Sequence, residues 1–233
     1  MPQLIELLRI AKLCRDVYQH TEVTETLGII GMEDFSTGSD YACAYIAEDE
    51  IFIVIRGTDD LADWKSNFQI IGRSDWCGLS VHRGFAQAAA GMLANTKRIL
   101  DKYPARRVTF SGHSRGGAIA LLLALDANRT YCTTRFRCIT FGQPRVSSGR
   151  QIALSRRDME YIRVQNGSDA VCRYPKIGYS HDGTCVYLTN DGHCRIDPTW
   201  YQRFNDRFLT FTQRRSDHSQ DDYVKELQLC AQR

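Results

Sequence analysis

The stretch Gly112-His113-Ser114-Arg115-Gly116-Gly117 decides the fold prediction for this chain. The apolar run Val108-Thr109-Phe110 before it predicts a short buried strand, and the Ala- and Leu-rich run from Ala118 to Asn128 after it predicts a helix. A serine between a strand and a helix, with glycine two residues to each side, is typical of a sharp turn that carries a nucleophile. A Cβ atom at position 112 or 116 would clash with neighbouring chain in such a turn, which lifts the hydroxyl into solvent. The helix N-terminus then lies under any negative charge that develops beside Ser114.

Length and composition favour one domain spanning residues 1–233. The chain of 233 residues is 43% apolar and 24% charged, an ordinary globular mixture, and it contains no linker and no repeat. Residues 1–116 carry 13 Lys/Arg and 15 Asp/Glu, a net charge of −2. Residues 117–233 carry 17 Lys/Arg and 12 Asp/Glu, a net charge of +5, so the whole chain has a formal net charge of +3. This tilt is too weak to indicate a nucleic-acid partner. It is compatible with an anionic substrate, a lipid surface or a solvated Arg-rich face, and the oligomeric state stays open.

The first eighteen residues predict an amphipathic helix rather than a secretion signal. Leu4, Leu7, Leu8 and Ala11 recur at helical spacing, and charged residues lie between them. No apolar run approaches the length that crosses a membrane. We therefore expect a chain that is cytoplasmic or released without a visible signal peptide.

The nine cysteines favour reduced thiols over a metal site or a disulfide framework. No pair has Cys-x-x-Cys spacing, so zinc binding is not expected. Without a visible signal, thiols are expected to stay reduced. Pairing of Cys132 with Cys138, or of Cys172 with Cys185, stays open for an oxidising compartment.

The remaining pattern predicts an α/β fold with a mostly parallel central sheet and an antiparallel N-terminal hairpin. The predicted hairpin joins Asp40–Ala47 to Ile51–Ile55, and a helix is predicted to end near Lys102. Further strands are predicted at 136–141 and 161–165, an edge strand or hairpin arm at 185–188, and a last helix at 219–232. Active residues gather beyond the carboxyl ends of strands in such sheets, and Thr58, Ser114 and Asp169 all follow predicted strands.

A nucleophilic serine needs a base, and the base needs an orienting acid. In hydrolases with this turn the acid follows the serine, and the histidine follows the acid. Asp169 comes directly after a predicted strand, whereas Asp158 precedes that strand and is expected on the wrong side of the sheet. His218 lies between a long irregular stretch and the last helix, which favours it as the base over His193.

An ordered set of motifs from about Tyr41 to Tyr223 resembles the class 3 lipases, a branch of the α/β hydrolases. The motifs are Ile53-Val54-Ile55-Arg56-Gly57-Thr58 with Asp63-Trp64, Val81-His82-Arg83-Gly84-Phe85, the Gly-His-Ser-x-Gly-Gly turn, Phe141-Gly142-Gln143-Pro144-Arg145-Val146, Tyr161-Ile162-Arg163-Val164 with Asp169 and Pro175, and His218 with Tyr223. The resemblance implies an α/β-hydrolase fold with helices on both faces of the sheet. It also implies a catalytic triad on Ser114, Asp169 and His218, in agreement with the chain order.

Two backbone N–H groups are expected to form the oxyanion hole. One belongs to Arg115, the residue after the nucleophile. The other belongs, by resemblance, to Thr58. Many relatives have leucine in place of Arg115, so its charge is expected to make the entrance less apolar. His181 resembles a residue of the pocket wall, and His113 is a second candidate for that wall.

Asp59 to Phe68 occupies the position of a lid in that family. Leu61, Trp64 and Phe68 would form its apolar face, or Trp64 would pack in the core of a fixed helix. Because the segment is short and acidic, we expect little interfacial activation and a preference for short- to medium-chain esters in solution.

The function predicted from these features is hydrolysis of lipid or small carboxylic esters through an acyl-enzyme. No metal or organic cofactor is implied. The expected partners are an ester or lipid substrate and a transient membrane or lipid surface, with no nucleic acid. The alternatives are a catalytically silent lipid-binding module, and an acyltransferase or phospholipase of the same fold.

Overall fold

The computed structural model describes residues 4–19, 28–57, 72–167, 169–189, 191–209 and 218–232. Its strands are β1 Ile29–Thr37, β2 Asp40–Ala47, β3 Glu50–Ile55, β4 Arg73–Trp76, β5 Leu79–His82, β6 Arg107–His113, β7 Arg135–Phe141, β8 Glu160–Asn166, β9 Thr184–Leu188 and β10 Cys194–Ile196. Its α-helices are α1 Leu4–Gln19, α2 Arg83–Lys102, α3 Arg115–Thr130, α4 Gly149–Arg156, α5 Trp200–Leu209 and α6 Gln220–Ala231, with a 3-10 turn at Val171–Arg173.

Eight of these strands form one sheet in the order β1-β2-β3-β6-β7-β8-β9-β10. The five strands from β3 to β9 run parallel, and antiparallel pairs flank them at both edges. Helical crossovers join the parallel strands, so the carboxyl ends of β6 and β8 lie at one edge of the sheet. Ser114 and Asp169 follow those two ends.

Helices cover both faces of the sheet and create two apolar layers. Along β3, Ile51, Ile53 and Ile55 belong to the layer with α2 and α3, and Phe52 and Val54 belong to the layer with α1 and α6. All six residues of β3 are buried. Burial on both faces explains why this strand is a continuous apolar run rather than an alternating one.

The predicted strands and helices are present, with boundaries shifted by a few residues. The predicted hairpin is β2–β3, in which Ala44 pairs with Ile53. The predicted arm at 185–188 is β9, which pairs in parallel with β8 and antiparallel with β10. Sequence reasoning missed β1, the β4–β5 hairpin, α4, β10 and α5. The stretch before His218 is therefore not irregular throughout, because it contains α5.

All nine cysteines lie in described segments, and none is bonded to another. Cys14, in α1, is fully buried, and burial raises the pKa of its thiol to about 12. Thiols of this kind act as small apolar side chains. Among the residues that the structure describes, every helix is too short or too polar to cross a bilayer.

Candidate active site

Ser114 occupies a strained turn between β6 and α3. Its φ of 56° and ψ of −129° lie outside the regions that L-residues favour. The turn is held because the Ser114 N–H donates to the Phe141 carbonyl at 2.8 Å and its own carbonyl accepts from the Gly117 N–H at 3.0 Å. Ser114 is only 1% exposed. The expectation of a hydroxyl in open solvent is wrong, because the side chain faces His218.

The predicted need for glycine at 112 and 116 has a direct steric cause. A Cβ at Gly112 would lie 2.6 Å from the Gly116 carbonyl oxygen, and one at Gly116 would overlap the Ile55 carbonyl oxygen. Both obstacles are backbone atoms, which cannot rotate away. The turn therefore depends on glycine at both positions.

The predicted base lies between the predicted nucleophile and the predicted acid. His218 Nε2 is 2.9 Å from Ser114 Oγ, and His218 Nδ1 is 2.7 Å from Asp169 Oδ2. A carboxylate only accepts, so Nδ1 carries the proton and Nε2 accepts from the serine hydroxyl. Ser219, which caps α6 by accepting from the Asp222 N–H at 3.1 Å, fixes the backbone next to His218. The three predicted residues thus form one chain of hydrogen bonds.

Three donors hold the Asp169 carboxylate, whose side chain is fully buried. Besides His218, the Val171 N–H donates to Oδ1 at 2.9 Å, and the Tyr223 hydroxyl donates to Oδ2 at 2.7 Å. The same hydroxyl accepts from the Asn166 N–H at 3.1 Å. Burial, and then the charge of Asp169, raise the pKa of Tyr223, so its phenol stays a donor. Asp158 lies among the starts of β6, β7 and β8, at the opposite end of the sheet as expected.

His113 lies against His218 and is buried. Its Nε2–H donates to the His218 carbonyl at 2.6 Å, and the two rings are 4.7 Å apart. Its Nδ1 then accepts from the Tyr18 hydroxyl, 3.3 Å away. Burial, followed by the neighbouring His218, lowers the pKa of His113 well below its usual value. The neutral imidazole therefore serves as a spacer between α1 and the His218 backbone.

Tyr18 also determines which backbone donors are available near Ser114. Its hydroxyl accepts from the Gly57 N–H at 2.9 Å. The Gly57 N–H is therefore already engaged and does not donate to a negatively charged oxygen of a substrate. Thr58, the predicted donor, lies outside the described residues, as do Asp59 to Phe68 with Leu61, Trp64 and Phe68.

Arg115 begins α3, directly after Ser114, so its backbone N–H lies at the helix N-terminus. Its guanidinium forms a bidentate ion pair with Asp40, in which Nη2 is 3.2 Å from Oδ2. The two side chains are 18% and 11% exposed. Asp40 therefore compensates the charge of Arg115, while the ion pair itself is polar where many relatives have leucine.

The other two downstream histidines lie elsewhere. His181 Nε2–H donates to the Cys172 carbonyl at 2.7 Å, and the ring lines a cavity of about 340 Å³. Neither Ser114 nor His218 is in the lining of that cavity. The His193 side chain is 59% exposed, 3.2 Å from the Asp191 carboxylate. Of the three histidines, only His218 contacts Ser114 among the described residues.

Sequence reasoning missed the roles of Tyr18 and Asp40. Their partners His113 and Arg115 are 95 and 75 residues away along the chain. No local pattern signals such a contact. The Tyr223 contact with Asp169 spans 54 residues, and only the family motif pointed to that tyrosine.

A parallel sheet with a buried Ser-His-Asp chain beyond its carboxyl edge places this protein among the α/β hydrolases. The family model described as lipase (class 3) matches residues 52–179. The chain belongs to the class 3 lipase family.

Two relatives illustrate the extent of the similarity. The secreted mono- and diacylglycerol lipase 1 of Fusarium solani is 32% identical over an alignment of 161 residues that covers 62% of this chain and 47% of the relative. The lipase of Rhizomucor miehei is 29% identical over an alignment of 188 residues that covers 74% of this chain and 51% of the relative. The chain thus spans about half the length of the curated relatives it matches.

Solved structures show the same fold. The Rhizomucor miehei triacylglyceride lipase superimposes with a TM-score of 0.68 at 25% identity and 82% coverage of each chain. Lipase II of Rhizopus niveus superimposes with a TM-score of 0.68 at 20% identity and 80% coverage of each chain.

Proposed function

We propose that this chain is a serine-dependent carboxylic ester hydrolase. The observation that carries the proposal is the hydrogen-bond chain from Ser114 through His218 to Asp169, starting on a strained turn at a helix N-terminus. Such strain is retained where surrounding structure holds it and where function uses it. Membership of the class 3 lipase family supports the same reaction.

In the proposed reaction His218 Nε2 takes the proton of Ser114 Oγ as that oxygen attacks the ester carbonyl. Asp169 keeps the proton on Nδ1 and stabilises the imidazolium that forms. His218 then gives its proton to the leaving alcohol, which leaves an acyl group on Ser114. Water attacks this acyl-enzyme with His218 again as base, which releases the acid and restores the serine.

The proposed oxyanion hole combines the Arg115 N–H with the Thr58 N–H. The position of the Arg115 N–H at the start of α3 supports this assignment, because the helix fixes the donor next to Ser114. The Gly57 N–H is held by Tyr18, so the second donor falls to the next residue. Removing a preorganised donor of this kind costs about 3–4 kcal/mol of transition-state stabilisation.

The proposed substrates are lipid or small carboxylic esters. The names of relatives cover both neutral lipids and phospholipids, as in the Fusarium solani enzyme and the phospholipase A1-II 2 of Oryza sativa. We propose short- to medium-chain esters in solution, tested by rate against substrate concentration through the solubility limit. A sharp rise once emulsion forms, reduced by Trp64→Ala, would show instead that residues 59–68 act as an interfacial lid.

Labelling with a fluorophosphonate probe tests the nucleophile. Wild type should be labelled, and Ser114→Ala should not, while both unfold with the same urea midpoint. Turnover of p-nitrophenyl esters should fall by about a million-fold in Ser114→Ala. Turnover should fall about ten-thousand-fold in Asp169→Asn, since an amide favours the wrong tautomer of His218.

The same experiments address the alternative functions. A wild type that is neither labelled nor active would favour the silent lipid-binding module. Product analysis with an added alcohol would reveal an acyltransferase.

A further inference from the structure

The cavity that His181 lines is near the carboxyl ends of β8 and β9, under α5. It has a volume of about 340 Å³. Its lining residues are Arg145, Gln165, Gly167, Cys172, Arg173, His181, Tyr187, Trp200, Arg203 and Phe204. The cavity lies on the same face of the sheet as α2 and α3, but its lining is polar where the layer under those helices is apolar. Three of its ten lining residues are arginines and none is acidic.

The recorded partners of Arg145 and Arg203 are neutral. Arg145 Nη1 donates weakly to the Pro175 and Tyr179 carbonyls at 3.4 and 3.5 Å. Arg203 donates to Gln165 Oε1 at 3.0 Å and to the Pro198 carbonyl at 3.2 Å. Within the described ranges, no carboxylate forms an ion pair with Arg145, Arg173 or Arg203. No described ion pair therefore compensates these arginines as Asp40 compensates Arg115, although the Asp206 carboxylate lies beside the cavity and accepts from the Tyr187 hydroxyl at 2.8 Å.

The cavity also holds an unused donor. Arg145 Nε–H is buried and has no acceptor among the described residues. A buried donor without a partner is costly, and an anion in the cavity would remove that cost. Burial, and then the neighbouring Arg163 guanidinium, lower the pKa of Arg145. Both effects disfavour the positive charge of Arg145, and a bound anion would offset them. Guanidinium groups match phosphate oxygens in charge and geometry.

Two exposed aromatic side chains of α5 line the cavity. Trp200 and Phe204 line it from α5 and are 78% and 55% exposed. Tyr201, between them in sequence, is 59% exposed. Exposed tryptophan and tyrosine favour the headgroup level of a bilayer, where one side of the ring is apolar and the other wet. Arginines and exposed aromatic rings in the same lining fit a ligand that is anionic and embedded in lipid.

We propose that this cavity binds the phosphate of an anionic phospholipid headgroup at a bilayer surface. Arg145, Arg173 and Arg203 bind the phosphate oxygens, and Trp200 and Phe204 enter the headgroup layer. Gly167 in the lining is two residues before Asp169, so the bound lipid holds the Ser114 edge of the sheet against the bilayer. The site goes beyond the proposed ester hydrolysis, because binding requires no reaction at Ser114.

Co-sedimentation with lipid vesicles tests the site, with Ser114→Ala as the background so that no lipid is consumed. Vesicles of phosphatidylcholine with phosphatidate should bind the protein, and vesicles of phosphatidylcholine alone should bind it much more weakly. Added Arg173→Gln or Arg203→Gln should each weaken binding to the anionic vesicles about fivefold. Arg135→Gln, which removes an exposed arginine from the opposite end of the sheet, should change it little.

Paired control variants distinguish binding at the cavity from diffuse electrostatic attraction and from non-specific hydrophobic adsorption. Trp200→Ala should weaken vesicle binding, whereas Leu154→Ala, at a 73% exposed position on α4, should not. Equal losses in Arg173→Gln and Arg135→Gln would overturn the proposal in favour of diffuse attraction. Equal binding to both vesicle types would also overturn it. Binding of inorganic phosphate by calorimetry without vesicle binding would reassign the cavity to a free phosphate. Because every arm carries Ser114→Ala, failure here says nothing against ester hydrolysis.

Discussion

Replacing Tyr223 by phenylalanine tests whether the support of Asp169 contributes to the reaction. The Tyr223 hydroxyl donates to Asp169 Oδ2, the same oxygen that accepts from His218 Nδ1. The ring is fully buried, so Tyr223→Phe keeps the packing and removes one oxygen. The Asn166 N–H loses its acceptor in the same step.

The magnitude follows from these two bonds. A hydrogen bond to a charged group stabilises by about 1.5–3 kcal/mol, so Tyr223→Phe should lower the free energy of unfolding by roughly 2 kcal/mol. If about 1.4 kcal/mol of this is also lost in the transition state, kcat/KM falls tenfold. With one donor fewer, the Asp169 carboxylate attracts the imidazolium of His218 more strongly. The acidic limb of the pH–rate profile should therefore move to higher pH.

The assay is kcat/KM for a soluble p-nitrophenyl ester across pH, together with urea unfolding. Tyr45→Phe is the matched control, because the buried Tyr45 hydroxyl donates to Asp16 Oδ2 at 2.5 Å, away from Ser114. The control should lose stability but keep the rate and the pH profile of wild type. If Tyr223→Phe also keeps both, Tyr223 does not position the acid and its role is purely structural.

Three further outcomes are expected. His218→Ala should be almost inactive and His193→Ala near normal in the same ester assay; the reverse would move the base to residue 193. Gly116→Ala should lower the urea midpoint by the equivalent of about 1–3 kcal/mol or prevent folding, since its Cβ meets backbone, whereas Gly31→Ala, whose Cβ would meet only the Ile46 side chain at 3.9 Å, should be tolerated. Because burial lowers the pKa of His113 in the folded chain, the unfolded chain takes up the proton first as pH falls. The free energy of unfolding should therefore be unaffected by this group above about pH 6.5 and fall below it by up to about 1.4 kcal/mol per pH unit, a slope that His113→Asn reduces.

The central part of the fold was predictable from sequence because its signals are local. Continuous apolar runs mark the strands that helices cover on both faces, as in Ile51–Ile55. The edges of the sheet carry weaker signals. β1 is exposed at most of its positions and contains Gly31 and Glu33, so no alternation marks it. The β4–β5 turn places Cys77 and Gly78 at positive φ, a pair without the usual Asn-Gly signature.

The candidate site likewise has residues that the sequence predicts and contacts that it does not. Ser114, Asp169 and His218 follow from chain order and from their places after strands or before a helix. The role of Tyr18 did not follow, because it depends on how α1 docks against the sheet. The ion pair of Arg115 with Asp40 did not follow either, because Asp40 lies at the start of β2, 75 residues away along the chain.

The anchoring of His218 by His113 makes assembly of the site a late event in folding. The ring of His218 contacts Ser114 and its carbonyl accepts from His113, and these two contacts close loops of 104 and 105 residues. Contacts so distant along the chain form after local helices and hairpins, because loop-closure entropy opposes them first. We expect a chain whose sheet is complete but whose α6 has not docked to lack the proposed activity. Transient undocking of α6 would likewise silence the site while most of the molecule stays native, so activity should be lost at a lower denaturant concentration than the β-sheet signal.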